Sequence, residues 1–206
     1  AATPFITHAA PAGEGWNGEI ADKIENAAGN SGDTADKPIL IKEAAELAYL
    51  AQQANEGGYI LELENGNKID NEADSYKQGF SGYYFALSAD IDLSDYDWTP
   101  IGNTTSFKGN FDGRGHCVNG LKVMKVETVS GEAYAGLFGY TYVGILRNLG
   151  VRLADVGIQV NSTDGAVYAG GIAGYAHKIF NCYVVGEGRI EIHSSSGFGS
   201  VSYTHL

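Results

Sequence analysis

The sequence predicts an all-β chain wound as a parallel β-helix, a solenoid of stacked coils, and three observations predict it. Glycine supplies 29 of 206 residues against 4 Pro, about twice its ordinary share. Hydrophobic residues still make up 44%, so the glycines mark turns of a folded chain and not a disordered one. A run at 83–93 alternates Phe85, Leu87, Ala89, Ile91 and Leu93 with Tyr84, Ala86, Ser88, Asp90 and Asp92, the pattern of a strand with one buried face. The second half also repeats itself. Tyr134-Ala135-Gly136-Leu137-Phe138-Gly139-Tyr140 returns as Tyr168-Ala169-Gly170-Gly171-Ile172-Ala173-Gly174-Tyr175, and each copy precedes an apolar-x-Asn-x-x-Val element, at 146–151 and 179–184. A third copy opens at 197–199 and breaks off. Short β runs between glycine corners cannot bury their apolar faces alone and must stack on neighbours.

The elements follow in order. Residues 1–36 read as an extended lead-in whose one large anchor is Trp16. Residues 37–82 read as an N-terminal cap. Within it Pro38 opens a short strand at 39–41, and Leu47, Leu50, Ala51 and Ala54 form the single apolar stripe of a helix over 43–55. Gly57 is its stop, and no Ser, Thr, Asp or Asn stands at its cap position. Tyr59, Leu61 and Leu63 then alternate with polar partners, and Asn65-Gly66 supplies a hairpin turn, so 57–82 reads as an acidic hairpin and loop insertion. Residues 83–206 are the repeat region. Asn148 and Asn181 recur at its corners, where an amide can bond its counterpart in the next copy and the left-handed conformation is tolerated.

The formal charge is −12 and the isoelectric point about 4.7, which removes the electrostatic term on which nucleic-acid binding depends and opposes docking on anionic lipid. The charge is uneven: residues 1–100 carry 5 basic and 18 acidic side chains, net −13, and residues 101–206 carry 8 and 7, net +1. No apolar run approaches the ~20 residues of a membrane helix, so no membrane insertion is expected. Cys117 and Cys182 show no zinc or dithiol spacing and read as buried or isolated thiols, with a disulfide between them as the alternative. The one Met is Met124, so the chain reads as a processed or trimmed product, a removed secretion signal being one explanation.

The run at 98–121, WTPIGNTTSFKGNFDGRGHCVNGL, preceded by FALSADIDLS and followed by AGLFG, closely resembles the GLUG-repeat surface proteins of bacteria. Such modules occur in secreted proteins of gut Bacteroidetes and in the non-catalytic region of immunoglobulin-A-protease-type surface proteins. Trp16-Asn17-Gly18, the Thr34-Ala35-Asp36-Lys37-Pro38 run and the helix extend the likeness to roughly two thirds of the chain. The resemblance implies a right-handed parallel β-helix with an N-terminal capping helix, displayed outside the cell and adhesin-like, with no catalytic residues to carry over. The chain departs from the pattern at Lys42, where the family has a helix-capping Thr or Ser, and in the acidic insertion.

Four groups of side chains are candidates for chemistry. Asp90 and Asp92 fall on one face of a strand ~7 Å apart, suiting calcium, a pair of glycosidase carboxylates, or simply a solvated face with Asp95 and Asp97. Asp112, Arg114 and His116 match residue types that β-helix enzymes use on acidic polysaccharides, yet Asp112, Gly113, Gly115 and His116 also spell a structural turn. The remaining histidines, 8, 177, 193 and 205, have no metal-binding spacing and HExxH is absent, which excludes a zinc protease within these residues. Tyr96, Trp98, Tyr140 and Tyr175 are candidates for a ligand surface, since exposed aromatic rings take sugar rings or a partner protein; the alternative is a core or ladder position, and for Trp98, which follows a strand and precedes a Pro turn, core packing is the first reading.

The functional expectation is a non-enzymatic extracellular or cell-surface module, adhesin-like, meeting a host or bacterial surface protein or glycan. No cofactor is expected, with calcium as the exception. The alternative is a carbohydrate-active β-helix that binds or cleaves polysaccharide. Nothing after Leu206 caps a last coil, so the natural protein is expected to continue.

Overall fold

Pro38 delivers the chain into the first strand and a buried leucine stripe follows it; these two features organise the N-terminal half. The computed structural model describes residues 15–26, 29–126, 131–162, 165–194 and 199–202. Strand β1 (Ile39–Ile41) leads into helix α1 (Ala44–Asn55), whose Leu47, Leu50, Ala51 and Ala54 are buried. Gly57 ends the helix at φ +112°, with its N–H on Ala54 O and that of Gly58 on Gln53 O, the paired bonds of a Schellman stop. Strands β2 (Ile60–Glu62) and β3 (Lys68–Asp70) form an antiparallel ribbon with Leu61 opposite Ile69. The remaining acidic insertion is pinned by Asn71, fully buried, whose amide donates to Gly58 O and Lys77 O and accepts from the Tyr83 hydroxyl.

The rest is strand and turn: β4 (Tyr84–Leu87), β5 (Ile91–Asp92), β6 (Asn110–Asp112), β7 (Cys117–Val123), β8 (Glu132–Ala135), β9 (Phe138–Arg147), β10 (Gly150–Ser162), β11 (Ala166–Gly170), β12 (Ala173–Phe180), β13 (Tyr183–Val185), β14 (Ile190–Ser194) and β15 (Gly199–Ser202). One parallel sheet has the order β1-β4-β6-β9-β12; a second has β13-β10-β7-β5 with β14 also on β10; a third has β15-β11-β8. The repeat copies pair with each other in parallel, Tyr134 on Tyr168, Tyr140 on Tyr175, Leu146 on Ile179 and Val151 on Val184.

The fold class is therefore α/β, and the all-β right-handed parallel β-helix is corrected. Among the described residues the strands are shared among several parallel sheets beside one α-helix, and no single solenoid is found. The physical reason lies in what a repeat specifies. Self-similarity dictates that equivalent strands pair in parallel, but it does not dictate one continuous coil, and it leaves out the helix altogether. The helix stripe belongs to the same core as Ile24, Phe85, Val151 and Ile190. Through that core runs a chain of rings, Phe80–Phe85–Phe107–Phe138–Phe111, with centroid separations of 5.6, 5.8, 5.6 and 5.2 Å. The run at 83–93 is also not one strand. Phe85, Leu87, Ile91 and Leu93 are all buried, but the chain bends at 88–90 and passes from the first sheet, through β4, to the second, through β5.

Candidate functional site

Trp16, the one tryptophan of the lead-in, sets one wall of a groove. Its indole Nε1–H donates to Glu19 O at 2.7 Å, and its ring meets Tyr96 edge-on at 5.5 Å and Trp98 at 5.8 Å. Trp98 is 1% exposed and forms the floor, its Nε1–H on Leu137 O at 2.9 Å. Tyr96 is half exposed at the rim. Gly18, at φ +90°, lets the lead-in press on Tyr96, because a Cβ there would stand 2.7 Å from the ring. The opposite wall is α1, through Ala48, Ala51, Gln52 and Asn55. Asn55 bridges to the facing loop, donating to Pro100 O at 3.1 Å and accepting from Asn103 N at 2.6 Å. The space between the walls, open to solvent on one side, is about 370 Å³. Asp97 lies along it, half-buried; burial pushes its carboxyl up, against the Met124 N–H it accepts at 2.7 Å and the pull of Lys122 and Lys125.

Tyr140 and Tyr175 belong to a second group of rings. Tyr134 stacks at 5.1 Å on Tyr140 and at 5.2 Å on Tyr168, nearly parallel in both cases. Tyr140 meets Tyr175 at 5.1 Å and Tyr142 at 6.3 Å, and Tyr142 meets His177 at 6.3 Å. The Tyr134 hydroxyl donates to Glu132 at 2.6 Å; burial and that carboxylate push its pKa far up. In a stacked row the faces cover each other. Tyr134, stacked on both faces, thus offers an edge and not a flat platform, while Tyr142 and Tyr175 are about half exposed.

The carboxylates are dispersed. Asp90 Oδ1 lies 3.0 Å from His116 Nδ1 and accepts from Cys117 N at 3.0 Å. Asp92 accepts from Ser94 N at 2.9 Å. Asp112 takes three partners: Arg114 N at 2.9 Å, Asn148 Nδ2 at 3.0 Å and Arg147 Nε at 2.8 Å. Gly113 N–H reaches Arg147 O and Gly115 N–H reaches Asn148 O, each at 2.8 Å, and His116 N–H reaches Gly113 O at 2.9 Å. Among the described residues no group of three or more His, Cys, Asp or Glu is placed to hold a metal ion. Cys117 and Cys182 are free and buried; burial pushes the Cys117 thiol up to about 11. His8 and His205 lie outside the described residues. Among the described residues no helix is long and apolar enough to cross a membrane.

Sequence reasoning singled out Tyr96 and Trp98 but not Trp16, Gln52 and Asn55, which the packing of the lead-in on α1 brings to the same groove. It missed Tyr134 and Tyr168 as well, although both occupy the same position of the repeat. No protein-family model, no curated protein and no solved structure matches the chain. The likeness to GLUG-repeat proteins therefore rests on the motif residues themselves.

Proposed function

We propose that this chain is a non-enzymatic, adhesin-like module of a secreted or cell-surface protein, and that it engages a surface protein or glycan through the groove between the lead-in and α1. The groove carries the reading: it is concave, mostly apolar, walled by rings fixed in place, and of the few hundred Å³ that ligand sites occupy. The extracellular setting draws on the motif resemblance. The polysaccharide-cleaving alternative draws no support from Asp90, Asp92 and Asp112, each bound into its own turn or corner. Sugar binding has a foothold in the half-exposed Tyr142 and Tyr175.

A screen of immobilised glycans and host surface proteins tests this, run with the unaltered chain and with Tyr96→Ala and Tyr175→Ala. Tyr96→Ala should weaken capture of the retained ligand about tenfold, the scale of losing one ring contact of ~1–2 kcal/mol. Release of products from any glycan, abolished by single Asp→Ala changes, would overturn the non-enzymatic reading.

A further inference from the structure

The groove carries a charge pattern that its apolar walls do not need. Glu56 stands at the C-cap of α1 and lines the groove. That is the end where the helix dipole is already negative and where a cation is the stabilising choice. The last turn of α1 holds no basic residue. The helix carbonyls there are bonded by neutral donors, the Gly57 and Gly58 N–H groups on Ala54 O and Gln53 O, Thr104 Oγ1 on Asn55 O at 2.6 Å and Thr105 Oγ1 on Ala54 O at 2.5 Å. Asp97 adds a second carboxylate, and no Lys, Arg or His is among the described lining residues. Lys122 and Lys125 act on Asp97 from outside the groove, and Lys122 Nζ is itself bound to Ser94 O at 3.0 Å. The half of the chain that builds the groove carries net −13. The rings of Trp16 and Tyr96 supply what carboxylates alone do not, aromatic surface able to hold a cation.

Resting on the ligand-binding reading above, we infer that the groove receives a lysine or arginine side chain from a basic segment of a partner protein. Apolar methylenes of that side chain lie along Ala48, Ala51 and the Trp16 ring, and its cationic head meets Tyr96, Glu56 and the helix C-terminus. A neutral sugar would gain the ring contacts but bring no positive charge to Glu56, which is met by the neutral Gln53 amide at 3.2 Å, or to the negative end of the helix.

Both tryptophans of the chain, Trp16 and Trp98, line the groove, so intrinsic emission reports its occupancy directly. The probes are acetyl-Gly-Arg-Gly-amide and acetyl-Gly-Lys-Gly-amide, their citrulline and norleucine counterparts, methyl glycosides, and tetramethylammonium. The basic peptides should shift the emission saturably, bind about tenfold tighter than the neutral ones, and weaken as salt rises. Glu56→Lys should weaken them about tenfold, whereas Glu72→Lys, the same charge change on the exposed insertion, should not. Equal binding of neutral peptides, equal damage from Glu72→Lys, or tetramethylammonium matching the peptides overturns the inference. Saturable binding of a methyl glycoside in place of the peptides also overturns it, yet leaves the module a ligand binder. Failure of that wider reading shows separately, as a Tyr96→Ala variant that captures ligands as well as the unaltered chain.

Discussion

Glu46 ties the lead-in to the start of α1. Glu43 occupies the N-cap with no side-chain bond, and the carboxylate of the first turn bonds outward instead. Glu46 sits at the third helical position, 1% exposed, and reaches back to accept Lys42 N at 2.9 Å with one oxygen and Glu25 N at 2.7 Å with the other. Both donors lie outside the helix, Lys42 just before the N-cap and Glu25 in the lead-in, so this carboxylate fastens the lead-in to the helix start without forming a capping box. Burial raises its pKa, so the charge itself costs stability above the ordinary carboxylate range; the worth of Glu46 is in the two N–H groups it satisfies. Glu46→Ala should therefore cost about 2–4 kcal/mol in urea unfolding, since it strands two donors, and Glu43→Ala less than about 0.5 kcal/mol. Equal effects of the two substitutions would sink this account.

At the scale of elements, the corner ladder shows what repetition can and cannot encode. Asn181 Nδ2 donates to Asn148 Oδ1 at 2.9 Å, and Asn148 Nδ2 donates to Asp112 Oδ1 at 3.0 Å. Both asparagines are left-handed, at φ +49° and +51°. Their recurrence was legible because an Asn at equal repeat positions has a local conformational reason. The bulge in β9 was not: between the pairs Thr141–Ala176 and Ile145–Lys178 the register shifts, with Val143 at φ +75°, a conformation β-branched residues rarely take. The one local sign is Gly144, where a Cβ would strike Gly109 O, a residue that inside a strand marks a bulge or a close backbone approach. Asp112 ends the ladder. Burial pushes its carboxyl up, but Asn148, the Arg114 N–H and Arg147 outweigh that and hold it below the usual range. A carboxyl depressed in the fold contributes stability that is present above its unfolded value, ~3.9, and is lost as pH falls through the lower folded value. Asp112→Asn should cost roughly 1 kcal/mol at neutral pH, with the gap to the unaltered chain closing below about pH 4. A gap that stays constant down to strong acid would refute the assignment.

For the whole molecule, period and repeat identify the helix stripe, the ribbon turn at Asn65-Gly66 and the pairing of the two copies. They do not identify the class, because the distribution of strands over sheets and the joining of a helix to them are decided by long-range burial. The groove stayed hidden for the same reason: Trp16 and Asn55 are 39 positions apart and meet only because the lead-in folds back over α1. That common burial has a consequence for unfolding. Chains whose repeats touch only their neighbours can lose structure piecemeal, whereas here one apolar cluster runs from Ile24 and α1 through the Phe rings to Cys182 and Ile190. Disruption at either end exposes core shared with the other, which favours a single cooperative transition. Two probes at opposite ends of the sequence can read it. Trp16 and Trp98 report on the N-terminal half by emission, and Cys182, 3% exposed with its thiol pushed up by burial, reports on the repeat by its reactivity in a Cys117→Ala background. Both signals should change at the same urea midpoint, and Leu50→Ala, a fully buried truncation in α1 costing about 2–5 kcal/mol, should lower both midpoints together. If Cys182 becomes reactive while the tryptophan emission is still native, or if Leu50→Ala moves only the emission midpoint, the helix and the repeat are separate cooperative units and the single core does not govern stability.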